Sequence, residues 1–140
     1  MKRQVLITIK GLQTNELGEQ DTQELVTVGE FFRKNQAYYL LYKETEISGM
    51  AGTTTSVKVE GERVILNRMG SAQMKQIFQV GASHQCNYVT PHGRLHLQVL
   101  SSQVDVDLTE VGGSINLEYE LTIGAEKVSD NKLSITVKEV

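Results

Sequence analysis

Apolar and polar residues alternate along most of this chain, and helical spacing is nearly absent. Val5, Ile7 and Ile9 alternate with Leu6, Thr8 and Lys10, and Val57 and Val59 with Ser56, Lys58 and Glu60. The longest run is Ile115, Leu117, Tyr119, Leu121 and Ile123, separated by Asn116, Glu118, Glu120 and Thr122, and Leu133, Ile135 and Val137 follow the same rule. A period of two puts one set of side chains on each face of a strand. The runs are broken at Lys34-Asn35, Gly61-Glu62, Gly70-Ser71, Gly81-Ala82, Pro91-His92, Gly112-Gly113 and Asp130-Asn131, all dipeptides with turn chemistry. Roughly eight to ten strands are predicted, at the ~8–12 residue spacing of sandwiches and barrels.

Composition agrees. Val, Ile and Thr supply 35 of the 140 residues and Ala only five, a bias toward side chains that stiffen in a helix and pack well on a pleated sheet. Short turns between consecutive strands make a meander, in which sequence neighbours are antiparallel sheet neighbours. With no helix to cover the apolar face, closing the sheet into an up-and-down barrel buries that face and removes the edges; a two-sheet sandwich is the alternative. The expected fold is therefore an all-β, closed antiparallel meander barrel, one domain over 1–140. The apolar parity slips from Leu95, Leu97 and Val99 to Val104, Val106 and Leu108, which predicts a bulge near Ser101-Ser102-Gln103.

The turns set registers. A two-residue turn at Gly61-Glu62 places Val59 opposite Val64, Val57 opposite Leu66 and Thr55 opposite Arg68. Arg68 then shares a face with apolar side chains, a costly position for a guanidinium without a counterion, a wet cavity or a place at the barrel mouth; the alternative is that it lies near the strand end and reaches solvent. A three-residue turn at Gly70-Ser71-Ala72 aligns Met74 with Arg68 and Phe78 with Val64. A turn centred on Pro91-His92 sets Tyr88 against Leu95, Cys86 against Leu97 and His84 against Val99. On these registers the inner face also collects Thr53, Thr55, Gln76, His84, Tyr88 and Thr90. Tyr38, Leu40, Tyr42 and Glu44 share a parity, and if that parity is the inner one, Glu44 is the natural counterion of Arg68.

Net charge is −3 and no window approaches the roughly 20 apolar residues of a membrane span. The apolar run near the start is too short for a secretory signal, and Cys86 stands alone, so a cytoplasmic protein without disulfides is expected. His84, Cys86, His92 and His96 are zinc-type ligands, but the hairpin register sends His84 and Cys86 to one face, His96 to the other and His92 to the turn, so no metal site is predicted. No nucleophile, phosphate-loop or metalloprotease motif is present, and neither a catalytic residue nor a cofactor is implied. Glu118 with Glu120, and Asp105 with Asp107, fall on the polar parity. Nucleic acid is disfavoured, since basic doublets are confined to Lys2-Arg3 and Arg33-Lys34 and Trp is absent. The Phe31–Tyr39 segment is the best outer surface for either RNA or a protein partner, the alternative being simple cross-strand aromatic pairing, and a homo-oligomer is compatible with the sequence.

Tyr42-Lys43-Glu44, Thr53-Thr54-Thr55, the run from Val64 to Gly70, Tyr88-Val89-Thr90-Pro91-His92-Gly93 and Tyr119-Glu120-Leu121 together resemble the YwiB-like family of small bacterial β-barrel proteins, over essentially the whole chain. The resemblance implies a calycin-like, lipocalin-like closed meander and supplies no activity. Two functional expectations stand beside it. One is a barrel interior around Arg68, Glu44, Tyr42, Thr55, Gln76, His84, Tyr88 and Thr90 that binds a small amphipathic or carboxylate-bearing ligand. The other is a solid-packed barrel acting through its outer surface.

Overall fold

Ten strands are present in the computed structural model, which describes residues 2–44 and 52–140. They are β1 (Arg3–Asn15), β2 (Gln20–Lys34), β3 (Ala37–Lys43), β4 (Thr53–Glu60), β5 (Arg63–Gly70), β6 (Met74–Phe78), β7 (Ser83–Thr90), β8 (Gly93–Thr109), β9 (Gly112–Ile123) and β10 (Glu126–Glu139). All ladders are antiparallel and the order is β6-β5-β4-β3-β2-β1-β10-β9-β8-β7. The sheet is thus a meander whose first and last strands zip together in its middle, from Val5–Glu139 to Asn15–Ser129. It curls until its two ends meet at β6 and β7. There a single bridge holds them: the Gln73 and Val89 backbones exchange two N–H···O bonds of 2.8 Å each. The sandwich alternative falls, because one sheet wraps the whole core.

The predicted registers are the observed ones. Glu60 pairs with Arg63 and Thr55 with Arg68; Arg68 pairs with Met74 and Val64 with Phe78; His84 pairs with Val99, Cys86 with Leu97 and Tyr88 with Leu95. His96, on the opposite face, stands beside Asn87 at 3.4 Å, so the four zinc-type side chains do diverge. The β8–β9 ladder shifts between Ser101 and Gln103, and this bulge lets the long strand β8 bend at a barrel corner. A second shift lies between Lys127 and Ser129.

The core is the inner set of the alternation: Val5 and Ile7, Phe31, Leu40, Val57, Val64 and Phe78, then Val99, Ile115, Leu117 and Ile135. The end where β2 turns into β3 carries paired aromatics beside a cleft of about 440 Å³ lined by Arg3, Phe31, Arg33, Tyr38 and Glu110. Phe31 is buried and stacks on Tyr38 at 5.6 Å between ring centroids, whereas Phe32 stacks on Tyr39 outside, at 5.0 Å, below the ammonium groups of Lys2 and Lys58. The Phe31–Tyr39 segment is therefore divided between two faces, and only half of its aromatics belong to the surface. No helix of the described residues is long and apolar enough to cross a membrane.

Candidate functional site

The opposite end of the barrel is open. A cavity of about 340 Å³ opens there. Leu66, Arg68, Met74, Gln76 and Tyr88 form one wall; Leu97, Tyr119, Leu121, Ile123 and Leu133 form the other; Gln13, Asp21, Gln23 and Asn131 stand at its polar margin. The polar margin follows from parity: the inward positions of β1, β2 and β10 change from apolar to polar where those strands run past the core.

The polar centre lies where β3, β4 and β5 run side by side. Tyr42 pairs with Thr55 and Thr55 with Arg68, so one transverse row across three strands carries three polar side chains inward. Glu44 follows Tyr42 on the same parity, and its backbone N–H donates to the Thr53 carbonyl at 2.8 Å. The Thr55 hydroxyl donates to Glu44 Oε1 at 2.6 Å. The Tyr42 phenol engages both Glu44 and Thr55, and burial, seconded by the Glu44 charge, pushes it well above the usual phenol range. Arg68 Nε lies 3.9 Å from Glu44 Oε1, with side-chain exposures of 20% for Arg68 and 2% for Glu44. That is an ion pair without a hydrogen bond, because N–H···O bonds close at 2.7–3.2 Å. Arg68 Nε is buried and has no hydrogen-bond partner, a rare condition for a buried donor.

Of the eight residues singled out from the sequence, the structure brings Tyr42, Glu44, Thr55 and Arg68 into one network and sets Gln76 and Tyr88 along the cavity wall beside it. His84 faces inward opposite Val99, but it does not line the cavity, and its Nε2 is buried without a partner. Thr90 belongs to the hairpin turn, not to the cavity: its hydroxyl donates to the Gly93 carbonyl and accepts the His92 N–H, both at 3.1 Å. Thr53 likewise serves a turn, accepting the Ala72 N–H at 3.1 Å and bonding Ser71 Oγ at 3.0 Å. Cys86 is half-buried, and burial raises its thiol, the opposite of what an activated nucleophile requires.

Sequence reasoning did not place the β9–β10 wall. Tyr119 packs against Phe78 with centroids 4.9 Å apart, and burial raises its phenol while the Arg68 charge pulls the other way. Its inward parity is plain in the alternation of Ile115 to Ile123. What brings it to Arg68 is the closure of the barrel, which no turn register encodes.

These features define a small antiparallel β-barrel with an amphipathic cavity at one end. The chain belongs to the family of the domain of unknown function DUF1934, whose sequence profile matches residues 7–135. It is 33% identical over 119 residues to the uncharacterized beta-barrel protein YwiB of Bacillus subtilis (strain 168), covering 85% of this chain and 82% of the relative. The crystal structure of the ywiB protein from Bacillus subtilis superposes with a TM-score of 0.90 at 27% identity, over 99% of this chain and 93% of that one.

Proposed function

We propose that this barrel is a non-catalytic binding protein whose open end holds a small amphipathic molecule. Its polar head lies at Arg68 and its apolar body against Leu66, Leu97, Leu121 and Leu133. The observation that carries the reading is the coincidence of a chamber of about 340 Å³ with Arg68 on its wall, a fifth of its side chain exposed and its Nε 3.9 Å from Glu44 without a hydrogen bond. Small-ligand sites combine mostly apolar walls with a few placed polar groups. The calycin-like character of the barrel belongs to the same reading, by analogy of architecture alone. So does a cytoplasmic location, where a lone half-buried thiol stays reduced.

Native mass spectrometry of the protein purified gently from its own cells tests this. The expected result is a reproducible small adduct, lost on denaturation and absent from Leu121→Trp, which fills the chamber. A folded protein that carries no adduct and takes up no amphiphile from solution refutes it.

A second reading has its own observation. On the outer face of β1–β2, Val26 and Val28 are 54% and 48% exposed beside an exposed Leu6, an apolar strip suited to a protein partner or a second copy. Sedimentation of the protein and of Val26→Lys separates the two: a change in oligomeric state favours the outer surface.

A further inference from the structure

We propose that the head group accepted at Arg68 is uncharged and accepts hydrogen bonds, an amide or a ketone in place of a carboxylate. The inference rests on the interior being a ligand site and says which chemistry that site takes.

Charge balance carries the argument. Among the described residues Arg68 is the one cation on the inner wall of the chamber, and Glu44, buried beside it, already supplies the opposing charge. No other Asp, Glu, Lys, Arg or His lies on that wall among the described residues, and Asp21 and Lys132 at the margin contribute one charge of each sign. A carboxylate entering this chamber would bring a charge that nothing balances, beside a carboxylate already there. Uncompensated charge in an apolar enclosure is among the most costly arrangements in a protein. A neutral acceptor brings no such charge and still offers lone pairs to the exposed fifth of the Arg68 side chain that lines the chamber.

The hydroxyl groups nearby do not change this count. Thr55 already donates to Glu44, and the Tyr42 phenol is engaged with Glu44 and Thr55. Both therefore serve the resident carboxylate and leave Arg68 as the charged donor on the cavity wall, beside the neutral Gln76 amide. Size narrows the class further. An apolar cavity of about 150 Å³ holds benzene, so this chamber, at about 340 Å³, takes a molecule about twice as large. A linear amide of medium chain length meets both conditions.

Titration calorimetry with octanamide and octanoate, which differ only in the head, tests the proposal. At about pH 8 the acid is fully ionised, since carboxyl groups titrate near pH 4. Octanamide is expected to bind the unsubstituted protein at least about tenfold more tightly than octanoate, the least that a buried unbalanced charge exacts. In Glu44→Gln, which keeps an acceptor for Thr55 and frees the Arg68 charge, the preference reverses toward octanoate. Equal or tighter binding of octanoate by the unsubstituted protein overturns the proposal, as does an unchanged preference in a folded Glu44→Gln. The comparison on the unsubstituted protein is decisive even if that variant misfolds. If neither compound binds at all, the interior reading itself fails, which is a different result from binding with the wrong preference.

Discussion

Arg68 and Glu44 are held together by mutual need more than by contact. Their separation of 3.9 Å forfeits the hydrogen bond, yet deleting either partner leaves the other facing a largely apolar interior. Breaking such a pair costs about 3–5 kcal/mol when both partners are fully buried, whereas replacing both with apolar groups is often neutral. Because Arg68 keeps a fifth of its side chain exposed, Glu44→Leu is expected to lower stability by somewhat less, about 2–3 kcal/mol in urea denaturation. Adding Arg68→Met to Glu44→Leu should restore most of the loss. The tyrosines make a separate prediction. Tyr42 and Tyr119 hold their protons more firmly in the fold than in the unfolded chain. A group whose pKa is raised by folding stabilises below its unfolded pKa and loses that contribution as pH rises through the folded one. Stability should therefore fall as pH climbs above about 10, the unperturbed tyrosine value, and Tyr42→Phe should flatten the fall. Tyrosinate absorbance should show that these two of the five tyrosines ionise only as the barrel opens. At this scale the sequence was readable where one turn tied two strands together, as with Thr55 and Arg68. It was silent on Tyr119, whose neighbour Phe78 is distant in the chain.

Hairpins are the elements in which chain order and spatial order coincide, and their turns carry most of the register information. The β2–β3 turn is a two-residue loop in which Asn35 and Gln36 both have positive φ, 52° and 66°, the type I′ geometry that matches strand twist. Asn tolerates that conformation; Gln gains nothing from it. Gln36→Gly should stabilise the protein by about 1 kcal/mol, seen as a higher denaturation midpoint with an unchanged slope. The opposite substitution fails at Gly29 of β2, where an added Cβ would collide with the Leu41 carbonyl and Ile7 Cδ1. Gly29→Ala should cost about 1–3 kcal/mol, the range for overpacking a close contact. Strand β2 also explains where pattern reading stops. Its inward residues include Thr27 and Gly29, whereas Val26 and Val28 point out. Local hydrophobicity there opposes the face that the β1 ladder imposes. The β4 to β8 hairpins, with Gly61, Gly70 and Pro91 at their turns, met no such conflict, and there the expected and observed pairings coincide.

For the molecule as a whole, closure is uneven. Most neighbouring strands share a continuous ladder, but β6 and β7 share the single Gln73–Val89 bridge. Amide exchange should accordingly be fastest along β6 and β7 and slowest in β1, β2, β9 and β10. Val89→Pro, which deletes one of the two bridging donors, should speed exchange in β6 and β7 selectively and promote self-association through the exposed edges.

The seam falls between two strands adjacent in sequence, and the ladder that depends on the most distant parts of the chain, β1 with β10, is among the longest. A folding chain must therefore bring together segments more than a hundred residues apart before it gains that pairing. Contacts of such separation slow folding far more than they add to final stability. A circular permutant that joins β10 to β1 through a short linker and is cut in the β6–β7 connection would turn the longest closure into a local hairpin. It would leave the finished barrel almost unchanged. Its refolding should be faster than that of the natural order, with nearly the same unfolding free energy: the architecture stores its slowest step in the order of the strands, not in their pairing.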